Sequence, residues 1–240
     1  HALQHLAQRP PERRLELVME LIDEHKFFTL TAGRQTGKTT SLMWLEEHYN
    51  ATGQWRALWV DVQTAREQPD PEKAFLTLLS KLDDTCALVH PDLARPDVDA
   101  LLRVPQRAIA RYLEHLAAQD SRPWVIFFDE ADGLVGDAMV SFLTQLRDGY
   151  IGRRKIPFPA SVVLVGQRHV RDYALREEDR RALSWLGTSS PFNITAEGLT
   201  IDMFTEADVT ELLQQHTTKT GQVFLPEAMA KIYELGQGHP

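Results

Sequence analysis

The chain has 240 residues, 43% of them hydrophobic and 25% charged, a globular composition that excludes a disordered or fibrous protein. Its 26 basic and 34 acidic residues leave a formal charge of −8, which disfavours a globally basic nucleic-acid binder but leaves room for a local basic patch. A single cysteine, Cys86, excludes an intrachain disulfide framework and a multi-cysteine zinc site, and suits a reducing cytoplasmic setting.

Residues 11–25 open with Pro-Pro-Glu and carry Leu15, Val18, Leu21 and Ile22 at helical spacing. Residues 27–31 (FFTLT) predict a strand, 38–50 a helix ended by Asn50 and Gly53, and 55–62 (WRALWVDV) a second strand. Helices are expected over 71–84 and 105–119, with an irregular connection around Pro91 and Pro96. Residues 124–128 (WVIFF) form a continuous apolar run, as in a parallel strand buried on both faces. The run is far shorter than the ~20 residues of a membrane helix. A helix follows over 137–150, a buried strand over 161–166 (SVVLVG) and a last strand over 199–203. From Thr205 the pattern is helical, opened by a Thr205/Asp208 capping box with Asp in the usual Glu position.

Strands separated by helices predict βαβ units, a parallel sheet and a ligand at the carboxyl ends of its strands. The reading is therefore an α/β core over 1–204, with 205–240 opening a small helical domain. The start carries no charged-then-apolar leader. The abrupt ends at His1 and Gly-His-Pro suggest a piece of something longer.

Three places carry chemistry. Between the first strand and the next helix stand Ala32, Gly33, Arg34, Gln35, Thr36, Gly37, Lys38 and Thr39, the phosphate-loop pattern with Ala32 in place of its first glycine. Two glycines let backbone N–H groups turn around phosphate oxygens, and the helix offers its positive end to the same anion. Lys38 is expected to reach the β- and γ-phosphates, Thr39 to ligate Mg²⁺, and Thr40 to complete the loop. The second place is the strand end Val125-Ile126-Phe127-Phe128-Asp129-Glu130: Asp129 is expected to hold Mg²⁺ mainly through water, and Glu130 to polarise an attacking water. Asp132 is a third acid that could join them. The third is the polar tip Gly166-Gln167-Arg168, where Gln167 and Arg168 are candidates for the γ-phosphate and the water, with Arg171 as an alternative. Its plainer reading is a solvated loop.

Together these residues resemble the signal-transduction branch of P-loop ATPases, often called STAND, close to the AAA+ and origin-recognition ATPases. Gly238-His239-Pro240 after an apparent helix over 226–235 resembles the Gly-x-Pro motif of that branch's helical lid. The chain is also similar to bacterial AAA-like ATP-binding proteins in its Arg-Gln-Thr-Gly-Lys-Thr-Thr loop at 34–40, Val-Arg-Asp-Tyr at 170–173 and Ser-Pro-Phe-Asn-Ile at 190–194. The resemblance covers most of residues 10–240. It implies an ATP- and Mg²⁺-dependent switch or motor, with hydrolysis slow or gated by assembly and Pro240 near the base. It also implies nucleotide-dependent homo-oligomers and further effector or sensor domains or partner proteins.

Several features have bland readings. Arg147, Arg153 and Arg154, around Ile151-Gly152-Arg153-Arg154-Lys155, stand roughly where AAA+ relatives place arginine fingers or DNA contacts, but a solvated basic loop is the simpler account. Arg176, Arg180 and Arg181 alternate with acids, as on an exposed salt-bridged helix. The nine histidines show no zinc-enzyme spacing; Trp44, Trp55, Trp59, Trp124 and Trp185 read as packing, and Cys86 as structural. The leader from His1 and His5 to Pro11 is a candidate for approaching the adenine, as N-terminal segments often do in this branch. Three other readings stay open: a nucleotide-binding signalling module with little turnover, a DNA-acting ATPase of origin-recognition or transposition-regulator type, which the charge disfavours, and a small-molecule kinase.

Overall fold

A computed structural model describes residues 14–33, 36–167, 198–201 and 204–236. Leu15, Val18, Leu21 and Ile22 are buried together and define α1 (Glu16–Asp23). β1 (Phe27–Ala32) leads through the glycine loop into α2 (Lys38–Ala51), and β2 (Arg56–Asp61) follows. Asp70 caps α3 (Pro71–Val89), accepting from the Glu72 N–H, with Pro71 in the first turn where no N–H is needed. α3 runs five residues past its expected end at 84 because Leu82 and Cys86 continue its buried stripe. The connection expected to be irregular contains a short helix, α4 (Val98–Leu102), capped by Asp97. α5 (Pro105–Ala118), β3 (Trp124–Asp129), α6 (Gly136–Gly152) and β4 (Ser161–Gly166) complete the alternation. β5 (Gly198–Ile201) precedes α7 (Glu206–Thr220) and α8 (Pro226–Gly236).

The strands form one sheet of order β2-β3-β4-β1-β5 in which every pairing is parallel. Side chains alternate between its faces. Ile126, Phe128, Val162 and Leu164 pack with α3, α5 and α6, while Val125, Phe127, Val163 and Val165 pack with α1 and α2. β3 and β4 are buried along their whole length, which accounts for their unbroken apolar runs. Phe128 meets Phe142 edge-on at 5.1 Å; truncating either ring to alanine should cost about 3–5 kcal/mol.

The capping box expected at Thr205 is present, with the Asp208 carboxylate accepting from the Thr205 N–H and the Thr205 hydroxyl accepting from the Asp208 N–H. Phe204, just before it, is buried. α8 buries none of its residues fully and leaves Leu235 exposed, as Leu225 is just ahead of it. Trp124 is buried, whereas Trp44, Trp55 and Trp59 are partly buried against the α1/α2 core; Trp185 lies outside the described residues. Cys86 is buried, and burial pushes its thiol up. Among the described residues no helix is long and apolar enough to cross a membrane.

Candidate active site

The parallel sheet brings the ends of β1, β3 and β4 to one edge, and the predicted site residues that are described gather there. Ala32 ends β1, in register with Ile201 of β5. The loop is closed by the Thr36 hydroxyl, which donates to the Gly33 carbonyl at 3.0 Å. Gly37 caps α2 at φ +74°, a left-handed conformation that side chains disfavour. A Cβ there would also meet the Phe204 ring at 3.3 Å. Among the described residues no side chain caps α2, which leaves its first N–H groups to serve an anion.

Lys38 and Thr39, the first residues of α2, project onto the acids that end β3. The Thr39 hydroxyl donates to Asp129 Oδ2 at 3.0 Å, and the Glu130 N–H donates to Asp129 Oδ1 at 2.9 Å. Lys38 Nζ lies 2.6 Å from Glu130 Oε1 and 3.4 Å from Asp129 Oδ1. Burial pulls the Lys38 ammonium down, but the hydrogen bond to Glu130 and the two carboxylate charges outweigh it and hold the pKa above the usual lysine value. Asp129 is only 2% exposed, whereas Glu130, turned out of the strand at φ +54°, keeps part of its carboxylate accessible.

These groups face a cleft of about 490 Å³, lined by Gly33, Thr36, Gly37, Lys38, Thr39, Thr40, Glu130 and Gln167. Its volume falls in the usual range for small-molecule sites. Asp132 is not among the residues that line the cleft. Its Oδ2 accepts the Gln167 N–H at 3.0 Å, and its carboxyl packs so tightly on Gly166 that a Cβ there would clash at 2.8 Å. Asp132 therefore ties the acid loop to the tip of β4. Arg34, Gln35, Arg168, Arg171 and Pro240 lie outside the described residues, as do Arg176, Arg180, Arg181, the leader to Pro11, and the motifs at 170–173, 190–194 and 238–240.

Thr39 and Asp129 offer a hydroxyl and a carboxylate side by side, the hard oxygen donors that Mg²⁺ takes alongside water and phosphate. Among the described residues no group of three or more His, Cys, Asp or Glu side chains could hold a metal ion, and a cation completed by water and phosphate does not need one.

Two cleft residues had no signal in the sequence. Gln63 and Arg66 reach it from the turn after β2, because β2 pairs with β3 and Asp61 stands in register with Asp129. Arg153, by contrast, is engaged in its own chain. Its guanidinium donates to the carbonyls of His25 and Ala160 at 3.1 and 3.2 Å and lies 4.0 Å from the Tyr150 ring centroid.

A family model described as an AAA domain matches residues 22–174. The fold is similar to that of a Walker-type ATPase of Pyrococcus abyssi, at 17% identity and TM-score 0.67, over 95% of this chain and 63% of that one. It is also similar to the ORC1 protein of Aeropyrum pernix in complex with DNA, at 14% identity and TM-score 0.57, over 95% of this chain and 55% of that one. A third likeness is to Cdc6p of Pyrobaculum aerophilum, at 17% identity and TM-score 0.51, over 91% of this chain and 50% of that one. The chain thus spans between half and 63% of the length of these structures. No curated protein matches it in sequence.

Proposed function

The chain belongs to the AAA domain family, and on that premise we propose that it binds ATP and hydrolyses it with Mg²⁺ as a nucleotide-dependent conformational switch. The observation that carries this reading is the meeting of Lys38, Thr39, Asp129 and Glu130 in one polar cleft, with contacts of 2.6 to 3.4 Å. Loop amides from Gly33 to Thr40 and the free end of α2 bind the phosphates. Lys38 exchanges its carboxylate partners for β- and γ-phosphoryl oxygens. Glu130, released, accepts a proton as water oxygen bonds to the γ-phosphorus and the bond to the β,γ-bridging oxygen breaks, giving ADP, phosphate and a proton. Thr39 and Asp129 would hold Mg²⁺, which neutralises charge on the β- and γ-oxygens.

Arg168 and Gln167 serve the γ-phosphate in this reading, and Pro240 approaches the base from a helical lid that begins at 205. Phe204, packed on Gly37 and directly preceding α7, links the loop to that lid. The STAND-type role, homo-oligomers and effector partners rest on the resemblance alone, and a cytoplasmic setting on the single cysteine. The test is hydrolysis and binding by wild type, Lys38→Ala and Glu130→Gln: the reading requires loss of binding in the first variant, and binding without turnover in the second.

A DNA-acting ATPase is the second reading. The similarity to an ORC1 protein solved with DNA favours it, and the charge of −8 opposes it as the main source of affinity. Salt-dependent binding of duplex DNA by this chain would support it.

A further inference from the structure

Among the described residues the cleft holds two cations, Lys38 and Arg66. Lys38 is 8% exposed and clamped between Glu130 and Asp129. Arg66 is half exposed, and its ion pair among the described residues is with Glu67, Nε to Oε1 at 3.6 Å. With Glu67 itself 80% exposed, that pair is screened by water and weak.

The head of Arg66 is loosely engaged, but its stem is fixed. Ala65 is buried beneath the turn, and the Arg66 N–H donates to the Gln63 carbonyl at 3.0 Å. The Glu67 N–H donates to the Gly133 carbonyl at 3.0 Å, and Glu67 adopts φ +58° to do so. The Arg66 stem packs beside Gly133: a Cβ at Gly133 would lie in ordinary contact, 3.4 Å from Arg66 Cγ. The turn after β2 is thus latched to the loop that carries Glu130. It presents a guanidinium, a planar fork suited to two phosphoryl oxygens at once, to the same cleft.

We propose that Arg66 is a phosphate-contacting catalytic residue supplied by the chain's own β2 turn. It leaves Glu67 when ATP binds and hydrogen-bonds the γ-phosphoryl oxygens, stabilising the charge that spreads over them during transfer. Glu67 is the counter-ion that holds the guanidinium beside the cleft until then. This rests on the ATPase reading above. It makes Arg66 sense the third phosphate, because a contact to γ-oxygens is present with ATP and absent with ADP.

The experiment measures binding of fluorescent ATP and ADP to the full chain, with single-turnover hydrolysis alongside, for wild type, Arg66→Ala, Arg66→Lys and Glu67→Gln. Thermal unfolding serves as the folding control. The expected result is a roughly 10- to 100-fold loss of ATP over ADP preference in Arg66→Ala with ADP affinity unchanged, and a similar fall in turnover. Arg66→Lys should recover only part, because an ammonium lacks the fork. Glu67→Gln should bind ATP a few-fold more tightly. If wild type binds ATP through Lys38 but Arg66→Ala keeps its ATP preference, the role of Arg66 is wrong and the ATPase reading stands. If wild type binds no ATP, both fall.

Discussion

Lys38 Nζ is held 2.6 Å from Glu130 Oε1, so the residue expected to bind phosphate and the residue expected to activate water occupy each other. Nucleotide binding must separate them. Removing the charge of Glu130 therefore has two consequences of opposite sign. Glu130→Gln should slow hydrolysis by about 100- to 10,000-fold, since the proton acceptor is gone. It should also tighten ATP binding by a few-fold, because Lys38 no longer gives up an ion pair. Equilibrium titration with labelled ATP, paired with single-turnover kinetics, reads both. Unimpaired hydrolysis in this variant would remove Glu130 from the mechanism.

Lys38→Ala should abolish ATP binding, and it should also change the fold's stability. Asp129 is nearly inaccessible, and without the ammonium it sits beside Glu130 with no ion-pair partner among the described residues. Loss of one partner from such a pair costs on the order of 3 kcal/mol, reduced here because Glu130 reaches solvent. Urea unfolding at neutral pH should show the loss. Lys38→Met, which keeps the apolar stem, tests whether packing rather than charge is responsible.

The phosphate loop and the acid pair were legible because each is a contiguous stretch whose chemistry demands particular residues at fixed spacing next to a strand. Buried strands announced themselves as apolar runs, and Thr205 as a cap. Arg66 and Gln63 were not legible: they reach the cleft only because β2 lies beside β3 in the sheet, and no local pattern records that adjacency. Asp132 was legible as a nearby acid, but not the hydrogen bond it accepts from the Gln167 N–H or its packing on Gly166 at the tip of β4. The network around Arg56 was equally hidden, because its partners Asp92 and Asp120 are 36 and 64 residues away in the chain.

That network makes His90 a neutral buried base. Its Nε2–H donates to the Ala57 carbonyl at 2.9 Å, so Nδ1 is left to accept from Arg56 Nη1 at 3.1 Å. Burial pushes the imidazole below its usual 6.5, the hydrogen bond to the Ala57 carbonyl and the Asp92 charge oppose this, and the Arg56 and Arg122 charges add to it. The folded state therefore binds fewer protons than the unfolded chain, and stability falls as pH drops below about 6.5. Between pH 7.5 and 5.5 His90 should therefore make the folded state progressively less stable. In His90→Gln, which can still donate to Ala57, this contribution should vanish. A parallel pH dependence in wild type and variant would show that His90 does not titrate in this way.

Glu46 acts in the opposite sense over an overlapping range. Among the described strands β2 lies at an edge, and α2 satisfies its outward backbone groups with side chains one turn apart. Asn50 pairs with both the N–H and the carbonyl of Ala57, and Glu46 Oε1 accepts the Trp59 N–H at 2.8 Å. Burial raises the Glu46 carboxyl from 4.5 to about 7; the Trp59 hydrogen bond lowers it, and the neighbouring Glu47 charge raises it. The folded state here binds more protons than the unfolded chain, so stability is lost as pH rises from about 4.5 through about 7. Glu46→Gln keeps an acceptor for Trp59 and removes only the charge. Its stability relative to wild type should climb across that window and level off above it, by up to about 3 kcal/mol. Because Glu46 and His90 partly cancel in the parent protein, a flat wild-type profile would be uninformative. The quantity to measure is the difference between each variant and wild type in urea unfolding at matched pH. A pH-independent difference for Glu46→Gln would mean that the carboxylate stays charged at the sheet edge.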